Sequence, residues 1–196
     1  MTDFIREAII STLRADGRVH LTPLGYRMRG DEVLLAPFHP SQTLRNLREQ
    51  GRAVLNFTDD VRVIAGCLTG HRDWPTVASV QVPVPRLAEA LAHWELEVVA
   101  CRDDPTRPEF TCRIVVRQTH AAFTGYNRAQ AAVIEASVLV SRLDWLEPTS
   151  VVDELLRLRV AVDKTAGDRE LAAWRWLLAA VAAHPRHALE AGRLAQ

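Results

Sequence analysis

Residues 33–60, VLLAPFHPSQTLRNLREQGRAVLNFTDD, decide the reading of the chain. Residues 33–38 are an apolar run ended by His39-Pro40, which predicts a short strand. Ser41 stands where an N-cap belongs, and residues 41–50, SQTLRNLREQ, read as a helix that Gly51 closes. Residues 53–57 predict the next strand, and Asp59 opens another helix up to about Gly70. Unpaired backbone N–H groups and the dipole at a helix start favour an anion such as phosphate. The hydroxyls of Ser41 and Thr43 add donors there that stay neutral, and Arg45 and Asn46 follow within a turn. The same residues equally describe a capped surface helix. The segment has no Walker or G-x-G-x-x-G spacing, which argues against a nucleoside triphosphate or a Rossmann cofactor.

Toward the N-terminus, residues 4–14 predict a strand that stops at the turn Ala15-Asp16-Gly17. Residues 18–28, RVHLTPLGYRM, restart as a strand that contains Pro23 and Gly25. A proline inside a strand pattern marks an edge, a bulge or a strand end. Such backbone has free N–H and C=O groups suited to the rim of a planar heterocycle, although an ordinary bulge on an edge strand has the same sequence. Arg27 falls on the same strand face as Gly25, two residues earlier.

Toward the C-terminus, residues 71–90 mix three prolines with a predicted helical stretch from Arg86. Residues 94–101 and 109–119 predict two strands joined by DDPTRPE, placing Cys101 and Cys112 symmetrically about the turn, where they would face each other. From Asn127 onward the pattern is helical, broken near Pro148, Gly167 and Pro185. In YNRAQAAVIEASVLVSRLDWL (126–146), Asn127 is a cap. Ala131, Ile134, Val138 and Arg142 approximate one face of a packing helix, with Glu135 and Arg142 as a candidate ion pair. The expectation is an α+β chain, with a β-dominated domain over 1–125 and a helical region over 126–196 packed on it.

Composition narrows the function classes. The 196 residues carry 24 Lys and Arg against 24 Asp and Glu, so no global field draws the chain to nucleic acid or an anionic membrane. Lys164 is the sole lysine, so a phosphate partner is expected to be an arginine, a backbone N–H or a hydroxyl rather than a lysine. Three cysteines form neither a disulfide framework nor a metal clip. The first residues lack signal-peptide features, and the longest near-apolar stretch, residues 171–183, is too short to span a bilayer. Together these predict a soluble, cytoplasmic protein. His184 and His187 lack a nearby carboxylate or cysteine in sequence and read as solvated. No G-x-S-x-G elbow is present. Trp174 and Trp176 cannot share a helix face, which makes one a core residue and the other interfacial.

Taken in order, REAIIST, ADG, HLTPLGY, SQTLRNL, AVLNFTDD and YNRAQAAVIEASVLVSRL resemble a family of FMN-binding split-barrel proteins. That family has long been labelled a domain of unknown function, and it occurs in methanogenic archaea and in tetrahydromethanopterin-using methylotrophic bacteria. The resemblance covers nearly the whole chain. His20, Leu24 and Ser141 stand where the family has Asn, Met and Thr. It implies a six-stranded antiparallel split β-barrel with an appended C-terminal helical region, a homodimer, and FMN near the subunit interface. It further implies Ser41 and Thr43 as phosphate binders and Asn46 and Asn56 as polar partners of the ribityl chain or of the loop. Thr22, Pro23, Leu24 and Gly25 would form the backbone edge beside the flavin ring, with Arg27 as the nearest fixed positive charge, no metal, and no assigned catalytic side chain. The functions then open are an FMN-dependent oxidoreductase of unknown substrate, linked to C1 metabolism, a non-catalytic flavin or pterin carrier, and a ligand-free interaction module.

Overall fold

The computed structural model describes residues 4–195. The chain divides into two compact units, Met1–Thr58 with Trp74–Phe123, and Asp59–Asp73 with Thr124–Gln196.

The first unit is a closed antiparallel barrel. Its six strands are β1 (Arg6–Leu13), β2 (Val19–Arg29), β3 (Glu32–Leu35), β4 (Arg52–Phe57), β7 (Ala92–Arg102) and β8 (Glu109–Thr119), closed in the order β1-β2-β3-β8-β7-β4. A separate ribbon pairs β5 (Thr76–Val77) with β6 (Arg86–Leu87). Alternation along the strands sends Ala8, Ile10, Tyr26, Val33, Leu35, Leu55, Leu96 and Phe110 into one core. Helix α1 (Gln42–Gln50) adds Leu44 and Leu47 to it, three residues apart and so on one helix face. Each such burial stabilises by roughly 1.5–3 kcal/mol. Gly51 ends α1 in the left-handed region at φ 61°, as a helix-terminal glycine permits.

The outer face of β1 and β4 is also covered. Ile9, Ser11, Val54 and Asn56 are buried there, with Val82 and Val84 packed on Val54. The helix expected from Arg86 does not form. Although residues 86–92 are good helix formers, their backbone groups pair sideways: Leu87 N–H with Asn56 Oδ1, Leu91 N–H with Phe57 O, and Leu91 O with the N–H groups of His120 and Ala121. Tertiary pairing overrides propensity here. Cys101 and Cys112 do not face each other either. The β7–β8 register pairs Cys101 with Phe110 and Cys112 with Val98, leaving Cys101 exposed and Cys112 in the core.

The second unit is helical: α2 (Arg62–Thr69), α3 (Arg128–Val140), α4 (Pro148–Thr165), α5 (Asp168–Ala183) and α6 (Ala188–Ala191), followed by a 3-10 turn. Asn127 caps α3, accepting from the N–H groups of Ala129 and Gln130. Pro148 and Gly167 fall at helix starts, as expected. The buried face of α3 is Ala129, Ala132, Val133 and Ala136, one step round from the expected face, so Val138 is exposed. Glu135 and Arg142 are both exposed and form no ion pair among the described residues. Leu143 is buried while Trp145 stays exposed. Trp174 is a core residue, and Trp176 stacks on His71 at 4.0 Å between ring centroids. The solvated reading of His187 is overturned. It is fully buried with Nε2 2.8 Å from Leu143 O, and His184 pairs with Asp144 at 3.2 Å. No helix among the described residues is long and apolar enough to cross a membrane.

Candidate functional site

The first element of the site is a half-open strand. β2 runs 11 residues, and β1 pairs with it from Val19 to Tyr26, but β3 pairs only with Tyr26–Arg29. Alternate residues of an antiparallel strand bond to opposite neighbours. The two-residue turn at Gly30-Asp31 makes Arg29 and Arg27 the residues that bond to β3. By the same alternation, Gly25 and Pro23 direct their backbone groups to that side, beyond the last residue of β3. Pro23 therefore lacks an N–H where no ladder bond is needed, which is why a proline is tolerated within the strand. Residues 22–25 form a backbone ledge, with the Thr22 hydroxyl 3.5 Å from Pro23 O and Leu24 turned onto the core. Gly25 is closely approached: a Cβ there would lie 2.9 Å from Ile5 Cγ2, so the Ile5 side chain would have to shift to admit one.

The second element is the start of α1. Ser41 has extended backbone, and its Oγ accepts from the Leu44 N–H at 3.2 Å. An open groove of about 220 Å³ is lined by His39, Ser41, Arg45, Arg48 and Glu49, among others. Arg48 is paired with Asp103 at 2.8 Å, whereas Arg45 makes no ion pair among the described residues. Asn46 is fully buried. It accepts from Gln42 Nε2 at 2.7 Å and donates to Thr12 Oγ1 at 2.8 Å. Because Thr12 pairs with His20, this bond sets α1 beside the beginning of β2. The groove and the ledge thus belong to neighbouring elements of the barrel.

The eight residues singled out in the sequence therefore differ in what they offer. Ser41 faces the groove, and Thr22, Pro23 and Gly25 build the ledge. Thr43 is buried, only 3% exposed, behind the helix start. Asn56 is fully buried, its Nδ2 donating to Ser11 Oγ at 2.7 Å and Ile9 O at 3.1 Å, and its Oδ1 accepting from Leu87 N–H at 2.8 Å.

Arg27 is not a bare charge beside the ledge. Its guanidinium holds Glu109 at 2.7 Å, and Arg29 and Arg102 approach the same carboxylate at 3.2 and 3.7 Å. Glu109 pairs with Arg102 at the start of the β7–β8 hairpin, a register that DDPTRPE alone does not fix. The sequence reading also passed over His93 and Glu95. They stand two apart on β7 and so share a face, a signal hidden by the expectation of a helix running in from Arg86.

Residues 6–121 match the N-terminal domain of a protein family of unknown function, DUF447, and residues 127–179 match a second segment of the same family. The chain belongs to the DUF447 family. Among solved structures, an FMN-bound DUF447 protein from Methanosarcina mazei superposes with a TM-score of 0.78 at 20% identity, over 91% of this chain and 95% of that one. The 2-nitrobenzoate 2-nitroreductase of Pseudomonas fluorescens gives 0.52 at 21% identity, over 58% of this chain and 64% of that one. An FMN-binding protein from Thermus thermophilus gives 0.51 at 17% identity, over 59% and 71%. At these identities the likeness is one of fold: the DUF447 member shares it over nearly the whole chain, the other two over the barrel-sized part. No curated protein sequence matches the chain.

Proposed function

We propose that this DUF447 protein binds FMN and uses it in a two-electron redox reaction of a small molecule. The carrying observation is the β2 ledge at residues 22–25, an open run of backbone hydrogen-bonding groups on a rigid barrel strand, with the groove lined by Ser41 and Arg45 on the neighbouring helix. The FMN-bound relative from Methanosarcina mazei supports the same reading.

The donor set fits a phosphate. Ser41 Oγ, already an acceptor in its cap, retains its own proton to donate, and Arg45 supplies a charge not spent on a carboxylate. Thr43 and Asn46 hold the helix start in place from behind, and Asn56 holds the outer face. The ring edge lies against Pro23 and Gly25, where the Pro23 C=O and the Gly25 N–H and C=O match the alternating acceptors and donors of a flavin rim. Bound FMN supplies the hydride or electron chemistry, and the chain supplies position and field. Arg27, which shares Glu109 with Arg29 and Arg102, acts on that field as part of this net positive cluster rather than as a single charge.

Two copies of the chain form the working unit in this proposal, since Val138 and Trp145 remain exposed on the helical unit, as do Val160 and Leu189. The reaction is placed beside tetrahydromethanopterin-dependent C1 metabolism, and a reduced pterin is the first substrate to try. The test is anaerobic reduction of the FMN-loaded protein by NADH, NADPH or a deazaflavin, followed by reoxidation with candidate acceptors. Turnover supports the oxidoreductase. Tight FMN binding with no reduction by any donor supports a carrier instead.

A further inference from the structure

The outer face of β7 carries a chain of titratable groups that the flavin reading does not use. Glu95 is fully buried, and its carboxylate accepts from the backbone N–H groups of Val80, Gln81 and Val82 at 2.5, 2.7 and 2.8 Å. His93, also fully buried, lies with Nε2 3.2 Å from Glu95 Oε1 and Nδ1 2.9 Å from His120 Nε2. The two imidazoles lie edge to edge and nearly coplanar, their centroids 5.1 Å apart and their planes 4° apart. His120 is exposed at the end of β8, its backbone N–H fixed on Leu91 O at 2.7 Å.

The network assigns the protons. Glu95 can only accept, so His93 donates from Nε2 and accepts at Nδ1. His120 then donates from Nε2, and its Nδ1 keeps a lone pair on the side away from the chain. A carboxylate that fixes an imidazole tautomer and offsets the imidazolium charge is the logic of the acid–base triad. Here it acts through one more ring. Burial and then the nearby Arg86 guanidinium hold the His120 pKa below its ordinary value, so its free form at neutral pH is the base. The groups facing His120 are Arg86 from β6 and His93 from β7, with Glu95 behind.

We propose that His120 is an acid–base site for a carbonyl compound bearing an acidic C–H or N–H. In the step, the C–H or N–H bond breaks and leaves its electron pair on the substrate, delocalised onto the carbonyl oxygen beside Arg86. The proton goes to His120 Nδ1. The imidazolium keeps its Nε2–H on His93, and the charge of Glu95 offsets it along the chain. The reverse step returns the proton, and no oxidant or reductant enters. Glu95 alone suffices to pin residues 80–82; an aligned, exposed second imidazole adds nothing to that task. The inference stands independently of FMN.

Acylation by diethylpyrocarbonate, read residue by residue by mass spectrometry across pH, gives the rate constant of the neutral His120. A lowered pKa by itself makes an imidazole a weaker nucleophile. The chain predicts that His120 nevertheless reacts several-fold faster than N-acetylhistidine in the same tube, and that His93→Gln removes the excess. Oxalate, a stable mimic of an enolate oxygen pair, should slow the reaction in the wild type and not in Arg86→Gln. Neutral His120 reacting no faster than N-acetylhistidine overturns the proposal without recourse to any variant. A rate unchanged in a folded His93→Gln protein removes the relay, and absent protection by oxalate removes the substrate class.

Discussion

Leu87 donates its backbone N–H to Asn56 Oδ1 at 2.8 Å, and this bond pins the segment after β6 onto the outer face of β4. Asn56 also donates to Ser11 Oγ and Ile9 O, so one buried amide joins β1, β4 and β6. Asn56→Ala leaves a buried N–H and two acceptors without partners, each costing about 1–3 kcal/mol. Urea unfolding should show a loss of at least about 3 kcal/mol, with FMN and riboflavin affinities weakened alike. Full stability in the variant would contradict this placement.

The start of α1 separates a phosphate effect from a fold effect. Ser41→Ala costs about 1 kcal/mol as a lost cap, and Arg45→Ala touches nothing in the core. Together they should weaken FMN at least about tenfold, since hydrogen bonds to a charged group are worth about 1.5–3 kcal/mol each. Riboflavin, lacking the phosphate, should be little affected. Thr43→Ala should act on stability, because its side chain is buried. Calorimetric titration with both ligands distinguishes the cases, and equal loss for FMN and riboflavin would remove the groove from the site.

Glu95 sets an acid limit. Burial pushes its pKa up, but the three backbone N–H groups and His93 outweigh that and hold it below the usual carboxylate range. A depressed folded pKa contributes stability that is present above the unfolded value, about 4.3, and lost as pH falls through the folded value. Wild-type stability should therefore fall more steeply than that of Glu95→Gln below about pH 4.3. Parallel slopes in chemical unfolding across that window would contradict the burial of an ionised Glu95.

The proposed homodimer rests on the exposed Val138 and Trp145. Sedimentation equilibrium at micromolar concentration should return twice the chain mass. A monomer with FMN bound would confine the whole flavin site to one chain.

Much of the barrel was legible because its signals are local. The β-rich run of residues 4–14 ended by Ala15-Asp16-Gly17, the capped SQTLRNLREQ helix with Gly51 behind it, and the Asn127 cap each name their own element. The proline in β2 was readable as an edge, but only the shortness of β3 shows which edge is open. What escaped depends on pairing between distant residues. The Arg86 segment has helical propensity and loses it to Asn56 and Phe57. Arg27 meets Glu109 across 82 positions, and Asn56 meets Leu87 across 31. Composition and spacing carry no record of such partners.

The central claim is FMN held along the β2 ledge. The most direct measurement is the visible absorption spectrum of the purified protein, before and after reconstitution with FMN and gel filtration. The account predicts flavin bands that survive gel filtration at a stoichiometry of about one FMN per chain, shifted from free FMN by the apolar barrel surface. They should be lost when Gly25→Val puts a side chain against Ile5 at the ledge while far-ultraviolet circular dichroism stays unchanged. A protein that emerges colourless from saturating FMN, or one whose bands are untouched by Gly25→Val, would contradict it.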